Sequence, residues 1–151
     1  MRAADAVVVN GGRALLPGAL SMRLEAKTAV ALRSGAVQPL KAFAGTSIHA
    51  IAGIGHPERF FNMLRARGIE VAGRPLADHA RLTLADIDFD DDKSVLMTEK
   101  DAVKCAAFAG DRHWYVPVTA CFDGGESQTL LEVVMRRIEQ RDQASQGSSH
   151  G

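Results

Sequence analysis

Ile48-His49-Ala50-Ile51-Ala52-Gly53-Ile54-Gly55-His56-Pro57-Glu58-Arg59-Phe60-Phe61-Asn62-Met63-Leu64 is the stretch that decides the fold. An apolar, β-rich run ends in Gly53-Ile54-Gly55, and Pro57 opens a segment whose Phe60, Phe61 and Leu64 fall on one helical face. Proline suits the first turn of a helix, where its missing N–H loses no bond, and Gly68 stands where that helix would end. Strand, glycine turn and helix make half of a βαβ unit. The loop 53–56 is therefore predicted at the carboxyl end of a strand. In open α/β sheets that edge binds ligands, and the free N–H groups of a helix start favour anions.

Outward from this unit the same alternation continues. Towards the amino end, Ala6–Asn10 reads as a buried parallel strand stopped by Asn10-Gly11-Gly12. Alternation around Lys27-Thr28 predicts a short two-stranded element near residues 21–33, and Pro39 is expected to open a short helix through Phe43. Towards the carboxyl end, Ile69–Ala72 reads as a strand closed by Gly73-Arg74-Pro75, and Thr83-Leu84-Ala85-Asp86 as a capping box opening a short helix at 84–87. Ser94–Thr98 is the next strand. Thr98-Glu99-Lys100-Asp101 repeats the hydroxyl-x-x-acid signal, for a helix expected to turn Ala102, Val103, Ala106 and Ala107 inward and to end near Gly110. His113–Val118 is a strand that Pro117 ends or places at a margin. Glu126 to about Arg141 reads as an amphipathic helix burying Leu130, Leu131, Val134, Met135 and Ile138. The expectation is one α/β domain over residues 1–141, with a mostly parallel sheet of about five strands and flanking helices, followed by a disordered tail at 142–151.

Composition narrows the function classes. A chain of 151 residues, 46% hydrophobic and 24% charged, reads as a soluble globular domain. Its 18 basic and 18 acidic residues cancel, so no overall field points to nucleic acid or an anionic membrane. Cys105 and Cys121 have neither CxxC nor metal spacing and read as core or near-core thiols in a reducing compartment. No apolar run reaches the length of about 18 residues that a membrane span needs, and no signal peptide is expected.

Four groups of residues carry candidate chemistry. Gly53 and Gly55 could meet an anion, but the third small residue of a dinucleotide fingerprint is missing at Glu58, and no GxxxxGK[ST] occurs. The plainer reading is a tight turn. Asp78-His79 is an adjacent pair in which a histidine able to move a proton near neutral pH stands beside a carboxylate. Thr98, Glu99, Lys100, Asp101 and Lys104 form either a capped helix start with solvent-facing charges or a phosphate-binding edge. Asp88, Asp90, Asp91 and Asp92 lack the glycine and final glutamate of a calcium loop and read as a solvated turn. No metal site is expected: His49 reads as an interior residue, and His49, His56 and His79 match no zinc spacing.

Five blocks, taken in order, resemble a known family: Asp5–Gly12, Ala50–Phe61, Asp78-His79, Met97-Thr98-Glu99-Lys100-Asp101-Ala102-Val103-Lys104-Cys105, and Trp114–Val118. They look like the C-terminal part of the tetraacyldisaccharide 4'-kinases of lipid A biosynthesis in Gram-negative bacteria. The resemblance implies phosphoryl transfer from ATP, with Mg²⁺, to the 4'-hydroxyl of a lipid A disaccharide precursor at the cytoplasmic face of the inner membrane. It implies that ATP and metal are held mainly by an N-terminal P-loop domain, that membrane contact belongs to the full-length enzyme, and that this portion alone is inactive and soluble. It also makes His79, beside Asp78, the histidine that assists a catalytic aspartate of the partner domain. The chain departs from the family in having Leu76-Ala77 before Asp78 and Ala80 after His79, and a histidine at position 56 where asparagine is common. Two other classes compete with this reading: a non-catalytic α/β binding or interaction module, and a small complete enzyme using Asp78-His79 alone.

Overall fold

The structure, a computed structural model, describes residues 4, 6–10, 18–78, 81–122 and 126–147. In chain order its elements are strands β1 (Val8–Asn10), β2 (Leu20–Glu25), β3 (Thr28–Ala31) and β4 (Val37–Pro39), a 3-10 turn (Leu40–Phe43), strand β5 (Ser47–Ala52), helix α1 (Pro57–Arg65) and strand β6 (Glu70–Pro75). Helix α2 (Leu84–Ile87), strand β7 (Val95–Thr98), helix α3 (Glu99–Cys105), strands β8 (His113–Val116) and β9 (Thr119–Phe122) and helix α4 (Glu126–Gly147) follow. They divide into two compact units, residues 26–118 and the pair of segments 1–25 and 119–151, where the alternation of elements predicts one domain.

The larger unit holds a six-stranded sheet in the order β4-β3-β8-β7-β5-β6. Its last four strands are mutually parallel, whereas β3 runs antiparallel to both β4 and β8. This is the expected mostly parallel α/β sheet with a changed membership: β5, β6, β7 and β8 are four of the strands expected in it, β1 lies in the other sheet, and β3 and β4 join on one side. Strand β4, a three-residue edge ending at Pro39, takes the place of the start of the expected helix and hands over to the 3-10 turn. The two strands on either side of Lys27 are both present, but β2 and β3 belong to different sheets and do not pair with each other.

The decisive stretch forms as its residues dictate. Pro57 occupies the first turn of α1, and Phe60, Phe61 and Leu64 are all buried. The chain leaves the helix through Gly68, at φ 76°, in the left-handed region that glycine reaches without strain. Both faces of the sheet are covered. Along β5, Ile48, Ala50 and Ala52 pack with Phe60, Phe61 and Leu64 of α1, while Ile51 packs the opposite way with Ile87, Val95, Met97, Ala102 and Cys105. Burial on both sides explains the continuous apolar runs of β5 and β7.

Strand β6 continues through Gly73-Arg74-Pro75 instead of stopping before them. As an edge strand it tolerates proline. Gly73 serves packing: a Cβ there would stand 2.8 Å from Cδ2 of Phe61, so the ring lies against bare backbone.

The smaller unit is a three-stranded sheet, β1-β2-β9, with β1 parallel and β9 antiparallel to β2. Here the expectations shift most. Strand β1 is mostly exposed rather than buried, with Val8 at 39% and Val7, just before it, at 43%. Helix α4 runs on to Gly147, through residues expected in the tail, and its apolar positions Leu131, Val134, Met135 and Ile138 stay about half exposed. Among the described residues, no helix is long and apolar enough to cross a membrane.

Candidate functional site

Sheet order locates the candidate site. The chain makes β5, moves to one side for β6, then crosses back to lay β7 on the other side of β5. Strand order therefore reverses between β5 and β7, and because these strands are parallel their carboxyl ends share one edge. Such a reversal parts the two crossover connections and is where doubly wound sheets place a ligand crevice. Gly53 follows β5 directly, and Thr98 ends β7.

The crevice is bridged by the protein itself. Asp101, fully buried on the first turn of α3, accepts the Gly53 N–H on Oδ2 at 2.9 Å and the Thr98 hydroxyl on the same oxygen at 2.6 Å. Lys104 Nζ lies 3.5 Å from Oδ1. The Thr98 hydroxyl in turn accepts the Asp101 N–H at 3.3 Å. A Cβ on residue 53 would come within 2.8 Å of Asp101 Oδ1, so this approach requires glycine. Desolvating a carboxylate is offset when several donors converge on it. The N–H that a strand-end turn offers to an anion is thus already occupied by an internal carboxylate.

The same signal, hydroxyl-x-x-acid, behaves differently at α2. There Asp86 folds back locally and accepts both the Thr83 N–H at 2.8 Å and its hydroxyl at 2.7 Å. The Thr83 hydroxyl and N–H together hold the Asp86 carboxyl below its usual range. At α3 the acid takes its own threonine hydroxyl too, but, buried beside the end of β5, it also reaches the neighbouring strand's Gly53 N–H.

The other predicted residues sort around this bridge. Lys100 Nζ donates to Asp78 Oδ1 at 2.5 Å, joining α3 to the turn after β6. That turn is also held to β5, since the Leu76 N–H donates to the Ala52 carbonyl at 2.9 Å. Gly53, Asp78, Thr98, Lys100, Asp101 and Lys104 are thus brought together. Glu99 is exposed, and Gly55 is exposed with open space where a Cβ would be. His79 lies outside the described residues. The expected inward face of α3 is corrected as well: Asp101, Ala102 and Cys105 are buried, while Val103 is 78% exposed. Burial, reinforced by the charge of Asp101, pushes the Cys105 thiol up to about 11.

A second cluster escaped the sequence reading because its members are far apart in the chain. His49 Nε2 lies 3.0 Å from both carboxylate oxygens of Asp91, and its ring stacks on Phe89 at 3.7 Å between centroids. Arg74 lies over the other partner of that stack, 4.2 Å from the Phe89 centroid. Arg112 bonds the Asp88 carboxylate and the carbonyls of Phe89 and Asp91. The acidic loop is therefore stapled down rather than merely solvated. Desolvation raises the Asp91 carboxyl, but hydrogen bonds from Lys93 and His49 outweigh it and hold it at about 2. Asp88 and Asp91 are thus engaged by the chain's own cations and are not arranged around a metal ion. Among the described residues no group of three or more His, Cys, Asp or Glu side chains could hold one.

Comparison with known proteins agrees with the five blocks. The family model described as tetraacyldisaccharide-1-P 4'-kinase matches residues 1–139. A tetraacyldisaccharide 4'-kinase of Nitrosococcus oceani is 38% identical over 143 residues, covering 93% of this chain and 41% of that protein. One from Actinobacillus pleuropneumoniae is 42% identical over 141 residues, covering 91% and 43%. Another, from Stenotrophomonas maltophilia, is 48% identical over 103 residues, covering 68% and 30%. Among solved structures, the "apo" form of LpxK from Aquifex aeolicus in complex with ATP matches with a TM-score of 0.56. At 19% identity, over 88% of this chain and 42% of that one, this likeness speaks to the fold. The chain spans about two-fifths of the length of the first two relatives, and it belongs to the tetraacyldisaccharide-1-P 4'-kinase family.

Proposed function

We propose that this chain is the carboxyl-terminal portion of a kinase that transfers the γ-phosphate of ATP to the 4'-hydroxyl of tetraacyldisaccharide 1-phosphate, at the cytoplasmic face of the inner membrane. The observation that carries this reading is the family match over residues 1–139. The gathering of Asp78 with Thr98–Asp101 at the crevice edge supports it.

In the transfer, the 4'-hydroxyl oxygen forms a bond to the γ-phosphorus, the bond from that phosphorus to the β–γ bridging oxygen breaks, and ADP leaves. The hydroxyl proton must go to a base, and His79, beside Asp78, is the residue of this chain assigned to help remove it. Positioning and charge stabilisation dominate such reactions. Among the described residues no group of three or more His, Cys, Asp or Glu side chains could hold a metal ion. No GxxxxGK[ST] cradle occurs in the chain, and the Gly53 N–H is taken by Asp101. By the likeness to the kinase family, Mg²⁺ and the ATP phosphates are assigned to a P-loop portion of the full-length enzyme. The role of this portion is to close the acceptor side and present His79.

Two assays test the reading. The purified chain, given ATP, Mg²⁺ and tetraacyldisaccharide 1-phosphate, is expected to give no ATP-dependent phosphorylation; turnover at an enzyme's rate would overturn the partial-kinase reading. A chimera in which this chain replaces the matching part of the Nitrosococcus oceani kinase is expected to be active, and His79→Ala in it to lower kcat by about a hundredfold or more. A folded chimera without activity, or His79→Ala at the parental rate, would refute the assignment.

A further inference from the structure

Lys100 stands one residue from the buried bridge and at an edge where a lysine is readily taken for a phosphate ligand. Its ammonium instead meets Asp78 at 2.5 Å. The turn carrying Asp78 is gripped from two further directions. The Leu76 N–H is bonded to Ala52. The open side of Gly53 faces Leu76 and Ala77 as well as Asp101, since a Cβ there would find the Ala77 carbonyl at 3.5 Å and Leu76 Cβ at 3.6 Å. Three strand ends, those of β5, β6 and β7, thus converge through Gly53, Asp78 and the Thr98–Asp101 turn.

We propose that Lys100 is a positioning residue: it latches the turn after β6 to the start of α3 and so fixes where Asp78 stands relative to the acceptor. This deepens the kinase reading above and rests on it for its catalytic half. The arrangement favours a latch over a phosphate ligand for two reasons. First, the neighbouring cation, Lys104, is likewise turned to a carboxylate, that of Asp101. Second, the anion-seeking N–H of the crevice is filled, so a phosphate at Lys100 would find no backbone partner at Gly53. The side chains of Lys100 and Asp78 are 43% and 45% exposed. A pair so exposed contributes little to global stability and can bias the local position of a turn by about fivefold. Loss of Lys100 should therefore be felt in turnover far more than in folding.

The test has an arm that needs no kinase activity. In the amide NMR spectrum of the 151-residue chain, Lys100→Met is expected to shift the signals of Leu76, Ala77 and Asp78; unchanged signals would overturn the latch. In the chimeric kinase, Lys100→Met is expected to lower kcat about fivefold, with KM for ATP and for the lipid within twofold of the parent. Lys100→Arg should restore at least half of the lost turnover. On an Asp78→Asn background, Lys100→Met should have no further effect. A rise in either KM with kcat held would make Lys100 a substrate ligand and refute the proposal, as would multiplicative losses in the double variant. An inactive parent chimera would refute the kinase reading and the catalytic half with it, while the amide arm still decides the latch.

Discussion

Replacing Asp101 measures the bridge between β5 and β7 directly. In Asp101→Asn, the amide oxygen can keep the place of Oδ2, so the bonds from the Gly53 N–H and the Thr98 hydroxyl survive as neutral ones. A charge-assisted bond is roughly twice as strong as a neutral one, so each loses about 0.5–1 kcal/mol. The amide nitrogen then faces Lys104 Nζ, a donor against a donor, across a contact that is 3.5 Å in the parent. Lys104 is 23% exposed and can swing into water, which adds only a few tenths, for a total of about 2 kcal/mol. Asp101→Ala removes every acceptor and leaves the Gly53 N–H without its partner, which raises the loss to about 4 kcal/mol. The assay is urea unfolding of the 151-residue chain followed by fluorescence of Trp114, its single tryptophan, which lies in the larger unit. The midpoint should fall stepwise from parent to Asn to Ala, with the slope unchanged. If both variants unfold within about 0.5 kcal/mol of the parent, the reasoning fails.

Gly73→Ala should destabilise the chain by about 1–3 kcal/mol through collision with the Phe61 ring, and Phe61→Leu should add less than its usual loss when combined with it; additive effects in a double-mutant cycle would refute the contact. Cys105 should resist alkylation at pH 8 in the folded chain and react on unfolding, because burial and the Asp101 charge hold its thiol near 11; rapid labelling of the native protein would contradict this. The Asp91 carboxyl is depressed from 3.8 to about 2, so the folded state binds its proton later than the unfolded one. Its stabilisation is complete above the unfolded value and is lost as pH falls from about 4 through about 2. Asp91→Asn should flatten the acid limb of the stability profile in that window, and an unchanged limb would argue against the pairing with His49 and Lys93.

The central α/β unit was legible because its signals are local. Continuous apolar runs bounded by glycine, a proline at a helix start and Gly68 at its end need no distant partner to be read. Distant partners account for what was missed. Whether β2 pairs with β3 or with β9 depends on the return of the chain 94 positions after Glu25, at Thr119, its register partner. The stack of Arg74, Phe89 and His49 joins β6, the acidic loop and β5, and only the folded sheet brings these together. The hydroxyl-x-x-acid pattern marks Asp101 as a helix-start acid, but Asp101 is buried as a bridge, and the inner face of α3 is Asp101, Ala102 and Cys105, keeping only Ala102 of the expected set while Val103, Ala106 and Ala107 are exposed. The apolar stripe of α4 has helical spacing and remains half exposed, so periodicity correctly gave the helix without giving its burial. At the site, proximity in sequence identified Asp78-His79 and Thr98–Lys104 as separate groups; the reversal of strand order is what unites Asp78 with Lys100.

The two hydroxyl-x-x-acid helix starts also differ in when they can form. Thr83 and Asp86 meet across three positions, so the start of α2 can assemble as soon as its own few residues collapse. Asp101 and Gly53 lie 48 positions apart. The first turn of α3 cannot complete its bonding until β5 is in place, and closing so long a loop carries an entropic penalty that local contacts escape. The bridge therefore acts as a checkpoint in assembly: the helix start beneath the Asp78 turn is finished only after the strands on both sides of the crevice have found each other.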